Sequence, residues 1–146
     1  MTNYNAADLL SKARHLGQYG DALIASGKVT PSSAVVTGDT MKMLRIPAGA
    51  EVAALLLAWS TFGTTAPADI GYTPVDANEG SLSAATTYFA SAVALQTASA
   101  NGTLFMGFDP VKFEQDVFLI FTFGTVSSGA AGTIRGNVLG RNIGVK

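Results

Sequence analysis

Met41-Lys42-Met43-Leu44-Arg45-Ile46 runs into Pro47-Ala48-Gly49-Ala50, and then into Glu51-Val52-Ala53-Ala54-Leu55-Leu56-Leu57-Ala58-Trp59. Two apolar-rich runs, each short for a helix, flank a connection made of turn residues. Pro47 has no N–H to give to a strand ladder, and Gly49 accepts a positive φ. The stretch therefore predicts a strand over Thr40–Ile46, a tight turn and a second strand over Glu51–Trp59. Alternation sends Leu44 and Ile46 to a core and Arg45 to the opposite face. Lys42 shares the Leu44 and Ile46 face, so its ammonium has to snorkel outward or lie beyond the buried part.

The same punctuation continues from residue 20 onward. Gly, Pro, Ser and Thr cut the chain into further candidate strands: Ala22–Val29, Ala68–Tyr72, Ala90–Leu95, Thr103–Phe108, Asp116–Phe123 and Gly132–Arg141. Together these make about eight strands, the number of a jelly roll. The fold class is all-β, a jelly-roll-like two-sheet β-sandwich occupying residues 20–146. Residues 73–102 are the least decided, because the Ala-rich stretch Ser81–Leu95 also suits a helical turn. Asp116–Phe123 is apolar on both faces, with Val117, Leu119, Phe121 and Phe123 on one and Phe118 and Ile120 on the other. A single sandwich core covers only one of them, so the Phe118 and Ile120 face needs the arm, a long loop or another subunit to cover it, and a homo-oligomer, dimer or trimer, is expected. Gly132–Arg141 places Ile134, Gly136 and Val138 on one face. Arg135, Asn137 and Arg141 lie mostly on the other, as in a strand half in solvent or against a polar partner.

Residues 1–19 read as a separate N-terminal arm, helical or extended. Ala6, Leu9, Leu10, Ala13 and Leu16 recur at helical spacing, Asn5 suits an N-cap, and Gly17 suits a stop. Three turns are marginal alone, so the Leu9, Leu10 and Leu16 stripe needs a partner surface. The arm is expected to be an attachment element outside the sandwich core, with Lys12, Arg14 and His15 at its rim. Met1–Ala7 has neither a basic n-region nor an apolar h-region, so no secretory signal is expected. The longest apolar run, Val52–Trp59, falls far short of the roughly 20 residues of a membrane-spanning helix.

Composition narrows the function. The 146 residues carry 9 Lys+Arg, 10 Asp+Glu, one His and no Cys, and 13% are charged, about half the usual share. A net charge of −1 argues against a nucleic-acid partner, and 48% apolar residues argue against disorder. Without cysteine there is no disulfide framework, thiol nucleophile or thiolate metal site. His15 is the lone imidazole, and no Gly-x-Ser-x-Gly elbow presents a serine. Asp76-Ala77-Asn78-Glu79-Gly80 lacks the distal acid of a calcium loop and reads as a solvated turn. Asp109, Glu114 and Asp116 read as solubilising residues flanking a strand. Phe105 and Phe108 read as core, and Trp59 as core too, which deprives a lectin of its aromatic platform. No catalytic, cofactor or metal residue is assigned, and no cofactor is expected.

Met43–Val52, then Ala68-Asp69-Ile70-Gly71-Tyr72, then Asp116–Phe123 with Gly132-Thr133-Ile134-Arg135-Gly136-Asn137-Val138 resemble the decoration (cement) proteins of tailed-bacteriophage virions. The resemblance spans roughly residues 40–142. It implies a non-enzymatic protein, made in the host cytoplasm, that binds the capsid exterior and bridges capsomers. Its partners would be the major capsid protein and copies of itself, with no nucleic acid or membrane. Leu9, Leu10, Arg14, His15, Leu16, Phe118 and Ile120 are the candidate contacts. A phage tail or baseplate component and a carbohydrate-binding sandwich are the alternatives.

Overall fold

Leu55 and Leu57 are fully buried, whereas Leu56 between them is 41% exposed. That alternation marks a strand with one face in a core and the other uncovered. The computed structural model describes residues 1–5, 22–78, 82–95 and 102–143. Its strands, in chain order, are β1 (Asn3–Asn5), β2 (Ala22–Val29), β3 (Thr40–Ile46), β4 (Ala50–Trp59), β5 (Gly63–Thr65), β6 (Pro67–Pro74), β7 (Ala85–Ala94), β8 (Gly102–Lys112), β9 (Val117–Phe123), β10 (Ser128–Gly129) and β11 (Ile134–Asn142).

The pairing is nested. β2 pairs with β11, β3 with β9, β4 with β8 and β6 with β7, all antiparallel, like one long hairpin. Rolling that hairpin sets β11 beside β4 and β9 beside β6. One sheet then has the order β2-β11-β4-β8 and the other β1-β3-β9-β6-β7. This is the jelly roll the sequence predicts. β5 and β10 add a short ribbon at one end. Met41, Leu55, Leu57, Phe121, Ile134 and Val138 are among the fully buried side chains between the sheets.

The expected turn is present: Gly49 has φ 81°, and the Ala50 N–H donates to the Pro47 carbonyl at 3.2 Å. The Asp116 carboxylate accepts from the Ala48 N–H at 2.6 Å and pairs with Arg45, so one acid fastens this corner to the start of β9. Leu44 and Ile46 are buried and Arg45 is exposed, as expected. Lys42 is not on their face. The β3–β9 register shifts between Lys42 and Leu44, so Met43 and Leu44 are both buried and Lys42 pairs with Ile120 on the outside. A bulge resets the alternation at the cost of one unpaired residue. The Lys42 ammonium then lies 5.1 Å from the Phe118 ring centroid, a cation–π distance.

Two other expectations are corrected. The first residues of the arm belong to the sandwich: β1 runs parallel to β3, and Tyr4 is only 8% exposed within the core. Residues 6–21, including the expected helix, lie outside the described residues. β7 begins at Ala85 rather than Ala90 and is a strand throughout, with no helical turn.

β7 also carries local strain. Ala92 has φ 51°, and its N–H donates to Asp69 Oδ1 at 2.8 Å. A side chain is disfavoured in this left-handed region. Ala92→Gly is therefore expected to raise the unfolding free energy by about 0.5–1 kcal/mol, measured by urea titration. A loss of stability would show that Ala92 is not held there.

Candidate assembly surface

Two exposed large apolar side chains, Leu56 and Phe105, stand side by side on the outer face of the β2-β11-β4-β8 sheet. Lys28, Arg135 and Ala58 are cross-strand partners in one row of that face. Ser26, Asn137, Leu56 and Phe105 form the next row. Leu56 is 41% and Phe105 64% exposed. An open groove of about 520 Å³ lies across the two rows, its lining including Ser26, Lys28, Leu56, Ala58, Arg135 and Asn137; Phe105 stands next to it as the cross-strand partner of Leu56. A sheet face left to solvent is ordinarily polar, so the apolar side chains here make this face a candidate contact surface.

The charges on this face are arranged unevenly. At one end, Arg141 Nε donates to Glu51 Oε1 at 2.7 Å, and the Lys112 ammonium lies 2.9 Å from Glu114. At the groove, Lys28 and Arg135 sit on adjacent strands, and neither has an acidic partner among the described residues. Two like charges placed directly opposite one another are unfavourable without a counter-charge. Ser26 Oγ donates to Asn137 Oδ1 at 2.6 Å.

The outer face of the other sheet is better covered. Ile120 is 3% exposed within the single chain, so it needs no second copy to bury it. Phe118 is half-buried beneath Lys42. Leu9, Leu10, Arg14, His15 and Leu16 lie outside the described residues.

The carboxylates serve the fold. Asp76 accepts from the Asn78 N–H at 2.8 Å, the turn expected of that loop. Glu114 pairs with Lys112, and Asp116 holds the Pro47–Gly49 corner. Among the described residues no group of three or more His, Cys, Asp and Glu side chains gathers as a metal site. Trp59 is buried at 7% exposure, as expected, but Phe105 is not in the core. Strand alternation alone could have put Leu56 outside; pairing with β4 is what puts Phe105 beside it.

An aromatic group closes the end between β7 and β8. Tyr72 meets Phe113 and Tyr88 edge-on at 5.1 Å each, and Phe89 lies 5.1 Å from Phe108. Burial, and secondarily the neighbouring Tyr88, raise the Tyr72 hydroxyl above the ordinary 10.0 of tyrosine. Above pH 10 the unfolded chain then loses this proton before the folded chain does. Stability should fall as pH rises from the unfolded value toward the raised folded one. Urea midpoints are expected to drop more steeply there for the natural chain than for Tyr72→Phe; equal slopes would remove Tyr72 as the cause.

No protein-family model matches the chain, and no curated protein matches it by sequence. Solved structures do match. A chain in the capsid of Ralstonia phage GP4 superposes with a TM-score of 0.71 at 16% identity, covering 99% of each chain. A chain in the capsid asymmetric unit of cyanophage Pam1 gives 0.66 at 19% identity, covering 94% of this chain and 96% of that one. One in the acid-stable capsid of Helicobacter pylori bacteriophage KHP30 gives 0.52 at 12% identity, covering 84% and 89%. The jelly roll described here is thus the fold of chains found in three phage capsids.

Proposed function

We propose that this chain is a non-enzymatic structural protein of a bacteriophage virion that decorates the capsid exterior, binding the assembled shell and bridging its capsomers. The observation that carries the proposal is the end-to-end correspondence with phage capsid chains, 99% of both chains in one case. Such a protein acts by mass action: copies that bind the assembled shell but not its dissociated subunits stabilise the shell. The partners proposed are the major capsid protein and further copies of this chain, as a dimer or trimer on the shell. Residues 6–19 are the proposed attachment element. β1 supports that role, because it fixes the root of this segment at the outer edge of the five-stranded sheet, beside β3.

The test is cosedimentation of the purified chain with empty capsids of its phage, followed by imaging of the decorated shells. Saturable binding to assembled shells but not to capsid-protein monomers is expected, with weaker binding by a chain lacking residues 6–19. Failure of the full chain to cosediment would overturn the proposal.

A further inference from the structure

We propose that the groove on the outer face of the β2-β11-β4-β8 sheet binds an extended acidic segment of a protein partner. Carboxylates would sit on Lys28 and Arg135, and an apolar side chain would sit on Leu56 and Phe105. The proposal deepens the decoration reading by naming the partner's chemistry.

Charge complementarity selects the occupant. The polar heads of the groove that are left unengaged among the described residues are all donors: the Lys28 ammonium, the Arg135 guanidinium and the Asn137 amide hydrogens, whose oxygen already accepts from Ser26. A ligand made only of acceptors answers them, and a carboxylate is one. Elsewhere on the described surface the cations are engaged: Arg45 with Asp116, Lys112 with Glu114, Arg141 with Glu51, and Lys42 over Phe118. Lys28 and Arg135 are the exception, and register sets them directly opposite one another.

The apolar floor decides between a protein and a nucleic acid. Two cations are few for tracking a phosphate backbone, and the exposed surface beside them is Leu56, Ala58 and Phe105. Two residues along a strand separate the cation row from the Leu56–Phe105 row, a spacing of roughly 7 Å. An extended segment places alternate side chains at that same spacing, so an acid and an apolar residue two apart meet both rows.

The test uses the full chain and a double variant, Lys28→Glu with Arg135→Glu. Both positions are exposed, and unchanged thermal melting confirms folding; Lys28→Gln with Arg135→Gln is the second variant should the first misfold. Fluorescence anisotropy is read with a labelled peptide of Glu-Ser-Leu-Ser repeats, which sets glutamate and leucine two residues apart on one face, its Lys-Ser-Leu-Ser counterpart and single-stranded DNA. The acidic peptide is expected to bind the natural chain in a salt-sensitive manner. The double variant should lose that binding by at least about tenfold, and Phe105→Ala should weaken it. Equal binding of both peptides, preference for DNA, or retained binding by the variant would overturn the inference. Cosedimentation separates the two proposals. Shells that bind the natural chain and the double variant alike overturn the groove as the contact and leave the decoration role standing. No shell binding by the natural chain overturns that role, while the peptide result still decides the groove.

Discussion

Replacing Asp39 by alanine should lower the unfolding free energy by about 3 kcal/mol and release the first five residues from the sheet. Asp39 is the fully buried acid among the described residues, at 0% exposure. Its two oxygens divide the work: Oδ1 accepts from the Thr2 N–H at 2.8 Å, and Oδ2 accepts from the Val36 N–H at 2.9 Å. The adjoining Thr40 N–H donates to the Thr2 carbonyl at 3.0 Å, so the clamp sets β1 in register with β3. Hydrogen bonds to a charged acceptor are worth about 1.5–3 kcal/mol each, and an alanine leaves both donors without a partner. Water reaching the exposed Thr2 recovers part of that loss, which is why the figure is below the full pair. Asp39→Asn keeps one acceptor oxygen and should cost about half as much. Urea unfolding measures the loss, and fast amide exchange at Asn3–Asn5 reports the release. Natural stability in Asp39→Ala would show that the clamp does not hold β1.

β1 also marks where reading the sequence stops. Asn3-Tyr4-Asn5 is too short and polar to look like a strand, and what makes it one is a carboxylate over thirty residues away. The eight longer strands were legible because each is an apolar run bounded by Gly, Pro, Ser or Thr. β7 was legible only in its second half, since Ala85-Thr86-Thr87 is as compatible with a loop as with an exposed edge strand. The Lys42–Leu44 bulge was invisible, because counting by twos assumes an unbroken ladder. The groove was half legible. Arg135 and Asn137 stood out as the polar side of their strand, but Ser26 and Asn137 are 111 residues apart. The nested pairing sets Lys28 beside Arg135 and Phe105 beside Leu56, and only the rolling of β11 onto β4 brings the two pairs onto one face. Phe105 was misread for a related reason: a phenylalanine in a β protein is usually core, and pairing decides the exceptions.

Gly71→Ala should destabilise the protein by at least about 3 kcal/mol, at or above the usual range for overpacking. Gly71 lies on β6 opposite Ile120, between two residues whose partners on β7 are far from adjacent: Ile70 pairs with Ala90, but Tyr72 pairs with Ala85. The intervening residues of β7 make an excursion, and its backbone crosses Gly71. A methyl group there would lie 2.0 Å from the Ala85 carbonyl oxygen and 2.5 Å from the Thr86 carbonyl. Backbone cannot rotate aside as a flexible side chain can, so β7 must lift from β6. Lifting it also separates Tyr72 from Tyr88 and Phe89, whose ring centroids lie at 5.1 and 6.5 Å. Gly107 supplies the control. A methyl at that site on β8 meets only Phe105 at 3.9 Å, an ordinary contact, so Gly107→Ala should change stability by less than about 1 kcal/mol. Denaturant titration of the two variants side by side distinguishes steric exclusion at β6–β7 from a general intolerance of substituted strand glycines. Equal losses would mean that β7 does not close over Gly71, and that the closed aromatic end of the sandwich is held by its ring contacts alone.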